Sequence, residues 1–232
     1  MKITKTGMKT KLFLALAAVG LMTAATPGAF AQSTTGGRLA VTITNITSDQ
    51  IISPPVVLSH RGNFSLFELG QPASMELAYL AEDGMTDPLT DMLAGESRVY
   101  DFAVADGGIM PGSSVTVEVD VAYFFNRISL AGMLVSTNDA FVALDGKYFP
   151  AFGLGSQRRM FEAAAYDAGT EVNTESCEHI PGPPCGNPGV RVTEGAEGYV
   201  LVHSGIHGIG DLDASAKDWN NPVALVTVER VH

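Results

Sequence analysis

Two short acidic segments, about thirty residues apart, carry the residue types best suited to chemistry. Segment 166–171 (YDAGTE) places Asp167 and Glu171 on either side of a glycine, and segment 137–141 (TNDAF) places Asp139 in a turn that ends an apolar run. A hard cation such as Ca²⁺ binds about six to eight oxygens from carboxylates, turn carbonyls and water. These two turns therefore predict a calcium site.

The same acids also have a purely structural interpretation. Asp favours turns because its side chain hydrogen-bonds to the backbone two residues further on. Clustered carboxylates without a cation would repel one another and raise each other's pKa values, and a bound metal would remove that unfavourable energy. On these residues alone, both alternatives remain open.

A second polar cluster lies near the C-terminus and raises the question of catalysis. Its members could form a second metal site or a hydrolytic centre, and they are His203, Ser204, His207, Asp211 and Asp213. The sequence has no G-x-S-x-G, P-loop, H-E-x-x-H or G-x-G-x-x-G motif. We therefore expect a protein that is not an enzyme, with an exported hydrolase as the alternative.

The first 31 residues have the pattern of a signal peptide. Four lysines precede an apolar run at 12–22 that is too short to span a bilayer, and Ala29-Phe30-Ala31 fits a cleavage site. We expect cleavage after Ala31, a flexible N-terminus at 32–37, and a secreted or periplasmic protein. No later apolar run approaches the roughly 18 residues of a membrane span.

The charge balance restricts the possible partners. Removal of the leader takes four of the 14 Lys and Arg and none of the 25 Asp and Glu, so the formal charge moves from −11 to −15. Such a surface repels nucleic acid and anionic lipid. The expected partner is an extracellular protein or glycan.

The two cysteines, Cys177 and Cys185, flank a segment rich in proline and glycine. In an exported protein, such a pair predicts a local disulfide. A metal site built on two cysteines would need more ligands than His179 alone provides.

Alternating apolar and polar positions predict an all-β protein. Turn residues separate the candidate strands, which lie at 39–46, 55–60, 98–104, 114–123, 127–136, 141–144, 161–165, 198–203 and 222–231. Helical spacing appears at 72–82 and 88–93. The pattern favours one antiparallel β-sandwich domain at 38–232, with one or two short helices capping one end.

Three runs resemble the spondin domain of F-spondin, mindin and single-domain exported bacterial proteins. They are 73–84 (ASMELAYLAEDG), 134–142 (LVSTNDAFV) and 166–171 (YDAGTE), within a resemblance that extends from about Arg38 to the C-terminus. The bacterial form is the closer match, and it also includes the tail segments 205–208 (GIHG) and 218–222 (DWNNP). The resemblance implies a C2-like β-sandwich.

The resemblance also implies a calcium site and an adhesive role. Animal spondin domains bind one Ca²⁺ through an acid at a strand end and two acids in a D-A-G-T-D turn, positions that match Asp139, Asp167 and Glu171 here. Glu171 departs from that motif, which ends in Asp. Glu82 matches an acid near the family's ligand-binding face and is kept outside the predicted ligand set. A structural envelope protein, in which calcium only stabilises the fold, is a further alternative.

Overall fold

The computed structural model describes residues 36–150 and 157–231, which form nine strands and three short helices. The strands are β1 (Gly36–Asn45), β2 (Val56–His60), β3 (Val99–Val104), β4 (Ser114–Ala122), β5 (Arg127–Met133), β6 (Ala140–Tyr148), β7 (Arg158–Asp167), β8 (Leu201–Val202) and β9 (Ala224–Val231). The helices are α1 (Met75–Asp83), α2 (Asp87–Gly95) and α3 (Ala214–Lys217). The predicted signal peptide lies outside the described residues, and β1 begins at Gly36, inside the segment predicted to be flexible.

The strands form one antiparallel path in the order β3-β2-β5-β6-β7-β9-β1-β4, with β8 added beside β7. β7 belongs to both faces of the sandwich, since its end pairs with β6 and its start pairs with β9. The two edge strands also approach each other, because the Asp120 amide of β4 donates to Asp101 of β3 at 2.7 Å. The predicted antiparallel sandwich is confirmed, in a nearly closed form.

The interior of the sandwich is formed by every second residue of the strands. Leu39, Val41 and Ile43 of β1 are fully buried, whereas the alternate residues Thr42 and Thr44 face outwards and bond to the threonine and serine hydroxyls of β4. Successive strand side chains point to opposite faces. The alternation in the sequence therefore translates directly into a packed core between the two sheets.

Helices α1 and α2 cover an outer face of the sheet, whereas the sequence predicted that they cap an end. Their buried leucines pack against the outward-facing positions of β2, β5 and β6, including Phe141. Ser74 accepts a hydrogen bond from the Leu77 amide at the start of α1, and Gly84 ends the helix in the left-handed conformation. No helix among the described residues is long and apolar enough to cross a membrane.

One predicted turn is a bulge instead. The sequence predicts a strand at 141–144 that ends at the turn residues Asp145-Gly146, but β6 continues through this pair to Tyr148, and its register with β5 shifts at this point. The Ser129 hydroxyl donates to Asp145 and accepts from the Gly146 amide, each at 2.8 Å. These bonds satisfy the groups that the bulge removes from the ladder, so the strand continues.

Candidate metal centre

The two acidic segments meet because β6 begins where β7 ends. Ala140 pairs with Asp167 across the antiparallel ladder, so Asp139 and Asp167 lie at the same end of adjacent strands. The Ala168 amide then donates to the Asp139 carbonyl at 3.2 Å. The sheet register thus brings together two acids that are distant in sequence.

The turn after β7 wraps around the Asp139 carboxylate. Asp139 Oδ2 accepts from the Thr170 amide at 2.7 Å, the Glu171 amide at 3.0 Å and the Thr170 hydroxyl at 3.2 Å. Asp139 and Glu171 are almost completely buried, at 0% and 1% exposure, and Asp167 at 2%. All three predicted site residues therefore lie in one buried cluster.

Gly169 makes this turn possible. It has a φ of 67°, and a Cβ added at this position would lie 2.2 Å from the Tyr199 carbonyl oxygen. Its own carbonyl accepts from the Gly198 amide at 2.8 Å. The close approach of the two loops requires a residue without a side chain.

Two oxygens of the cluster are buried without a hydrogen-bond partner among the described residues, Asp139 Oδ1 and Glu171 Oε1. Burial, followed by the charge of Asp167, raises the pKa of Asp139 to about 7. Burial, followed by the charges of Glu82 and Asp139, raises the pKa of Glu171 to about 8. An unsatisfied buried acceptor is costly, so the cluster is well suited to a cation.

Asp167 is held by a chain of side chains. Its Oδ1 accepts from the Gly169 amide at 2.7 Å, and its Oδ2 accepts from the Asn173 amide group at 2.5 Å. Asn173 in turn contacts His203 Nε2 at 3.2 Å through its carbonyl oxygen. The Gly205 amide donates to His203 Nδ1, which assigns the proton to Nε2 and makes His203 a donor to Asn173.

His203 is a buried structural residue in this chain. Burial, followed by the charge of His207, lowers the pKa of His203 to about 4. Its ring packs against Trp219 with centroids 5.0 Å apart. The neutral ring thereby fixes Asn173, which fixes Asp167. Sequence reasoning missed Asn173, which no motif marks.

Glu82 is buried near the cluster and is not a solvated helix-end residue. It is 7% exposed, forms an ion pair with Arg191 and raises the pKa of Glu171. Arg191 also pairs with Asp83 at 2.8 Å and packs over the Tyr79 ring at 5.0 Å. Arg191 thus supplies the one positive charge that the structure shows among these acids.

The carboxylates alone do not form a complete ligand set. Within residues 36–150 and 157–231, no three His, Cys, Asp or Glu side chains are close enough as arranged to hold a metal ion. Calcium often takes part of its coordination from carbonyls and water. The unpartnered oxygens of Asp139 and Glu171 are of the type that calcium binds, whereas both oxygens of Asp167 already accept hydrogen bonds.

The second polar cluster is dispersed into separate hydrogen-bonding roles. Asp213 begins α3 by accepting from the Ser215 amide, and Asp211 accepts from the Cys177 amide at 2.9 Å. His207 is exposed and lies 3.7 Å from Glu175. Asp213 and Asp211 also accept hydrogen bonds from the hydroxyls of Ser215 and Ser176.

Within the described residues, no hydrogen bond joins the Ser204 hydroxyl to His203, His207, Asp211 or Asp213.

Glu175 is an unpredicted organiser of the C-terminal loops. Its buried carboxylate accepts from the His207 amide at 2.6 Å and the Ile209 amide at 2.8 Å, and its carbonyl accepts from the Asp211 amide. It has a φ of 54°, and no other non-glycine residue in the described part of the chain has a positive φ. Nearby, the predicted disulfide between Cys177 and Cys185 is confirmed.

The fold and this acidic end define a β-sandwich module with a buried carboxylate cluster between loops. The chain belongs to the Spondin_N family, the spondin N-terminal domain, whose model matches residues 48–183. That match includes Asp139, Asp167 and Glu171 and excludes His203 and His207. Family membership indicates an extracellular module. The comparison with curated proteins yields no match.

Proposed function

We propose that this protein is an exported, non-enzymatic module that binds one Ca²⁺ through Asp139, Asp167 and Glu171. The cation would tie the loop after β7 to the start of β6. The ordered loops would then present a surface to an extracellular protein or glycan, as loops on a rigid scaffold commonly do. Adhesion is the role that best fits such a surface.

The observation that carries this proposal is the pair of buried, unpartnered oxygens, Asp139 Oδ1 and Glu171 Oε1. Three buried acids in one place destabilise a fold unless a positive charge compensates them. Arg191 is bound to Glu82 and Asp83. Among the described residues Asp139 then has no ion-pair partner, and Asp167 has only His203 at 3.9 Å, whose lowered pKa keeps it neutral. A divalent cation supplies the missing charge.

Thermal unfolding with and without Ca²⁺ tests the proposal. A ligand that binds only the folded state adds about 2.7 kcal/mol at a hundredfold excess over its dissociation constant. We expect that gain in the wild type and its loss in Asp139→Asn, which preserves the shape of the side chain. Glu194→Asn, at an exposed position, serves as the control and should respond as the wild type does. An equal calcium response in wild type and Asp139→Asn would refute the site.

A purely structural role for calcium makes a different prediction. If calcium only stabilises the fold, binding of the extracellular ligand would not depend on Ca²⁺ under conditions where the protein stays fully folded. If calcium orders the binding loops, the Asp139→Asn variant would lose that binding although it stays folded. The hydrolase alternative predicts an activity that disappears in the double variant His203→Ala and His207→Ala. Retention of binding by His207→Ala alone would support the module.

A further inference from the structure

The end of the sandwich opposite the acidic cluster carries exposed aromatic rings. Tyr123 and Phe124 form a tight two-residue turn in the connection from β4 to β5, closed by paired backbone bonds between Ala122 and Phe125. The two strands themselves do not pair with each other. The two rings are 63% and 66% exposed. We call this region, with Tyr100, Phe125 and Tyr148, the aromatic end.

Turn chemistry does not explain these aromatic residues. Two-residue hairpin loops favour Gly, Asn or Asp, because the preferred turns need left-handed backbone. Tyr123 and Phe124 are neither small nor left-handed, and their side chains gain little from burial in the fold. More than half of each side chain is exposed at this turn, and that exposed surface can contact a docking partner.

Arginine side chains lie against these rings. Arg61 Cζ is 4.4 Å from the centroid of Phe125 and 5.9 Å from that of Phe124. Arg127 and Arg159 lie on Tyr148 at 5.4 Å and 5.7 Å. In the described part of the chain these three arginines form no ion pair with a carboxylate. Their positive charges therefore lie against aromatic rings and are not paired with carboxylates.

The charges of the molecule are segregated between its two ends. Eight of the ten Lys and Arg in the described ranges lie on strand ends that meet at the aromatic end: Arg38, Arg61, Arg98, Arg127, Lys147, Arg158, Arg159 and Arg230. Carboxylates at the same end pair with three of them, Arg38, Arg98 and Arg158, and the other five form no ion pair among the described residues. The other two, Arg191 and Lys217, lie towards the acidic loops, where most of the carboxylates are. The net charge predicts repulsion from anionic lipid, but screening over about 8 Å at physiological salt lets the local charges dominate at contact.

We propose that the aromatic end docks on the surface of an anionic phospholipid bilayer. Tyr123 and Phe124 enter the interfacial layer, and Arg61, Arg127 and Arg159 contact lipid phosphates. Aromatic residues next to basic residues are the usual composition of segments that lie in that layer. A protruding tip also suits a planar, deformable surface, whereas a polysaccharide chain is generally held in a groove. The docked molecule would point its acidic loops away from the membrane.

Vesicle sedimentation with the exported full-length protein tests this proposal. We expect binding to vesicles of phosphatidylglycerol and phosphatidylcholine in equal parts, and little binding to phosphatidylcholine alone. The double variant Tyr123→Ser and Phe124→Ser should lower the bound fraction about tenfold. Ile209→Ser removes an equally exposed side chain, 70% exposed, at the acidic end and should bind as the wild type does.

A fluorescence variant locates the contact. Trp219 is the only native tryptophan and is buried, so Phe124→Trp adds one exposed reporter. Its emission should shift to shorter wavelength on phosphatidylglycerol vesicles, and Arg61→Gln should weaken binding several-fold. The binding should not need Ca²⁺, which separates this proposal from the calcium site.

Three results would overturn the proposal. The first is no binding to phosphatidylglycerol vesicles at low salt. The second is equal binding by the wild type and the Tyr123→Ser, Phe124→Ser variant. The third is binding to an acidic polysaccharide through these residues without any binding to vesicles, which would identify a glycan surface instead.

Discussion

At the scale of single residues, the acidic cluster places buried carboxylates together in a way that costs stability when no cation compensates them. The side chains of Asp139 and Glu171 are both buried. Asp139 Oδ2 is hydrogen-bonded, whereas Asp139 Oδ1 and Glu171 Oε1 have no partner among the described residues. Glu171 also faces the neighbouring acids Glu82 and Asp139. Selection for the fold alone would favour a neutral residue at either position. We propose that these buried charges are present because they bind a cation.

The variant Glu171→Gln tests that conflict. It removes a buried charge that faces Glu82 and Asp139, so we expect the metal-free protein to gain stability at pH 8, by about 1 kcal/mol or more. The same change should abolish the calcium response. Chemical denaturation with and without chelator measures both effects. Glu194→Gln, at an exposed site, should change neither, and a destabilised metal-free Glu171→Gln would contradict the argument.

The residues of the site differ in how far they could be predicted from sequence. Asp139 and Asp167 stand beside apolar strands, so their position at strand ends was visible in the pattern. Asn173, Glu175 and Arg191 lie in a long irregular loop without periodicity. Their partners, such as Glu82, are fixed only by tertiary packing, which no local pattern encodes.

At the scale of elements, the strand register does most of the work of positioning. The two faces of β6 pack in different places: Val142 and Leu144 lie in the core between the sheets, whereas Phe141 and Ala143 pack under the helices. A slip by one residue would exchange these two sets, so the pairing of Ala140 with Asp167 is specified by packing on both faces. The Asp145-Gly146 pair shows the limit of such reasoning. This dipeptide usually marks a turn, yet its hydrogen bonds to Ser129 of the neighbouring strand β5 make it a bulge.

The turn at Gly169 gives an element-scale prediction. Gly169→Ala would place a Cβ against the Tyr199 backbone and strain a positive φ, so we expect a loss of about 2 kcal/mol or more. It should also weaken the calcium response, because the displaced turn carries the Thr170 and Glu171 amides. Gly189→Ala is the matched control: its φ of 75° is similar, but nothing lies within 4 Å of the added Cβ. Equal losses in the two variants, measured by denaturant unfolding, would show that the close approach has no energetic weight.

At the scale of the whole molecule, net charge was a poor guide to the surface. A formal charge of −11 gives no information on where the charges lie. The antiparallel topology brings eight of the ten cations of the described ranges to one set of strand ends, where three of them pair with carboxylates. Composition cannot reveal this sorting, because it depends on which strand ends meet. The two ends therefore suit partners of opposite charge.

The pH dependence of stability follows from the same buried groups. In the metal-free protein, Asp139 and Glu171 have folded pKa values of about 7 and about 8, above their ordinary values of 3.8 and 4.5. The folded state then holds more protons than the unfolded state, so stability falls as pH rises from about 4 to about 8. His203 has the opposite effect: its folded pKa of about 4 lies below the ordinary 6.5, so stability falls as pH drops through that interval.

Calcium should reverse the alkaline part of this profile. Binding requires the ionised carboxylates, so it releases protons below about pH 8 and becomes stronger as pH rises towards that value. We therefore expect chelated protein to be most stable in mildly acidic solution, and calcium-saturated protein to be most stable at neutral to mildly alkaline pH. Unfolding curves from pH 4 to 9, with chelator and with Ca²⁺, measure the two profiles. Asp139→Asn should follow the chelated curve in both conditions with a reduced alkaline loss, and identical profiles for wild type with and without Ca²⁺ would refute the coupling between these acids and the cation.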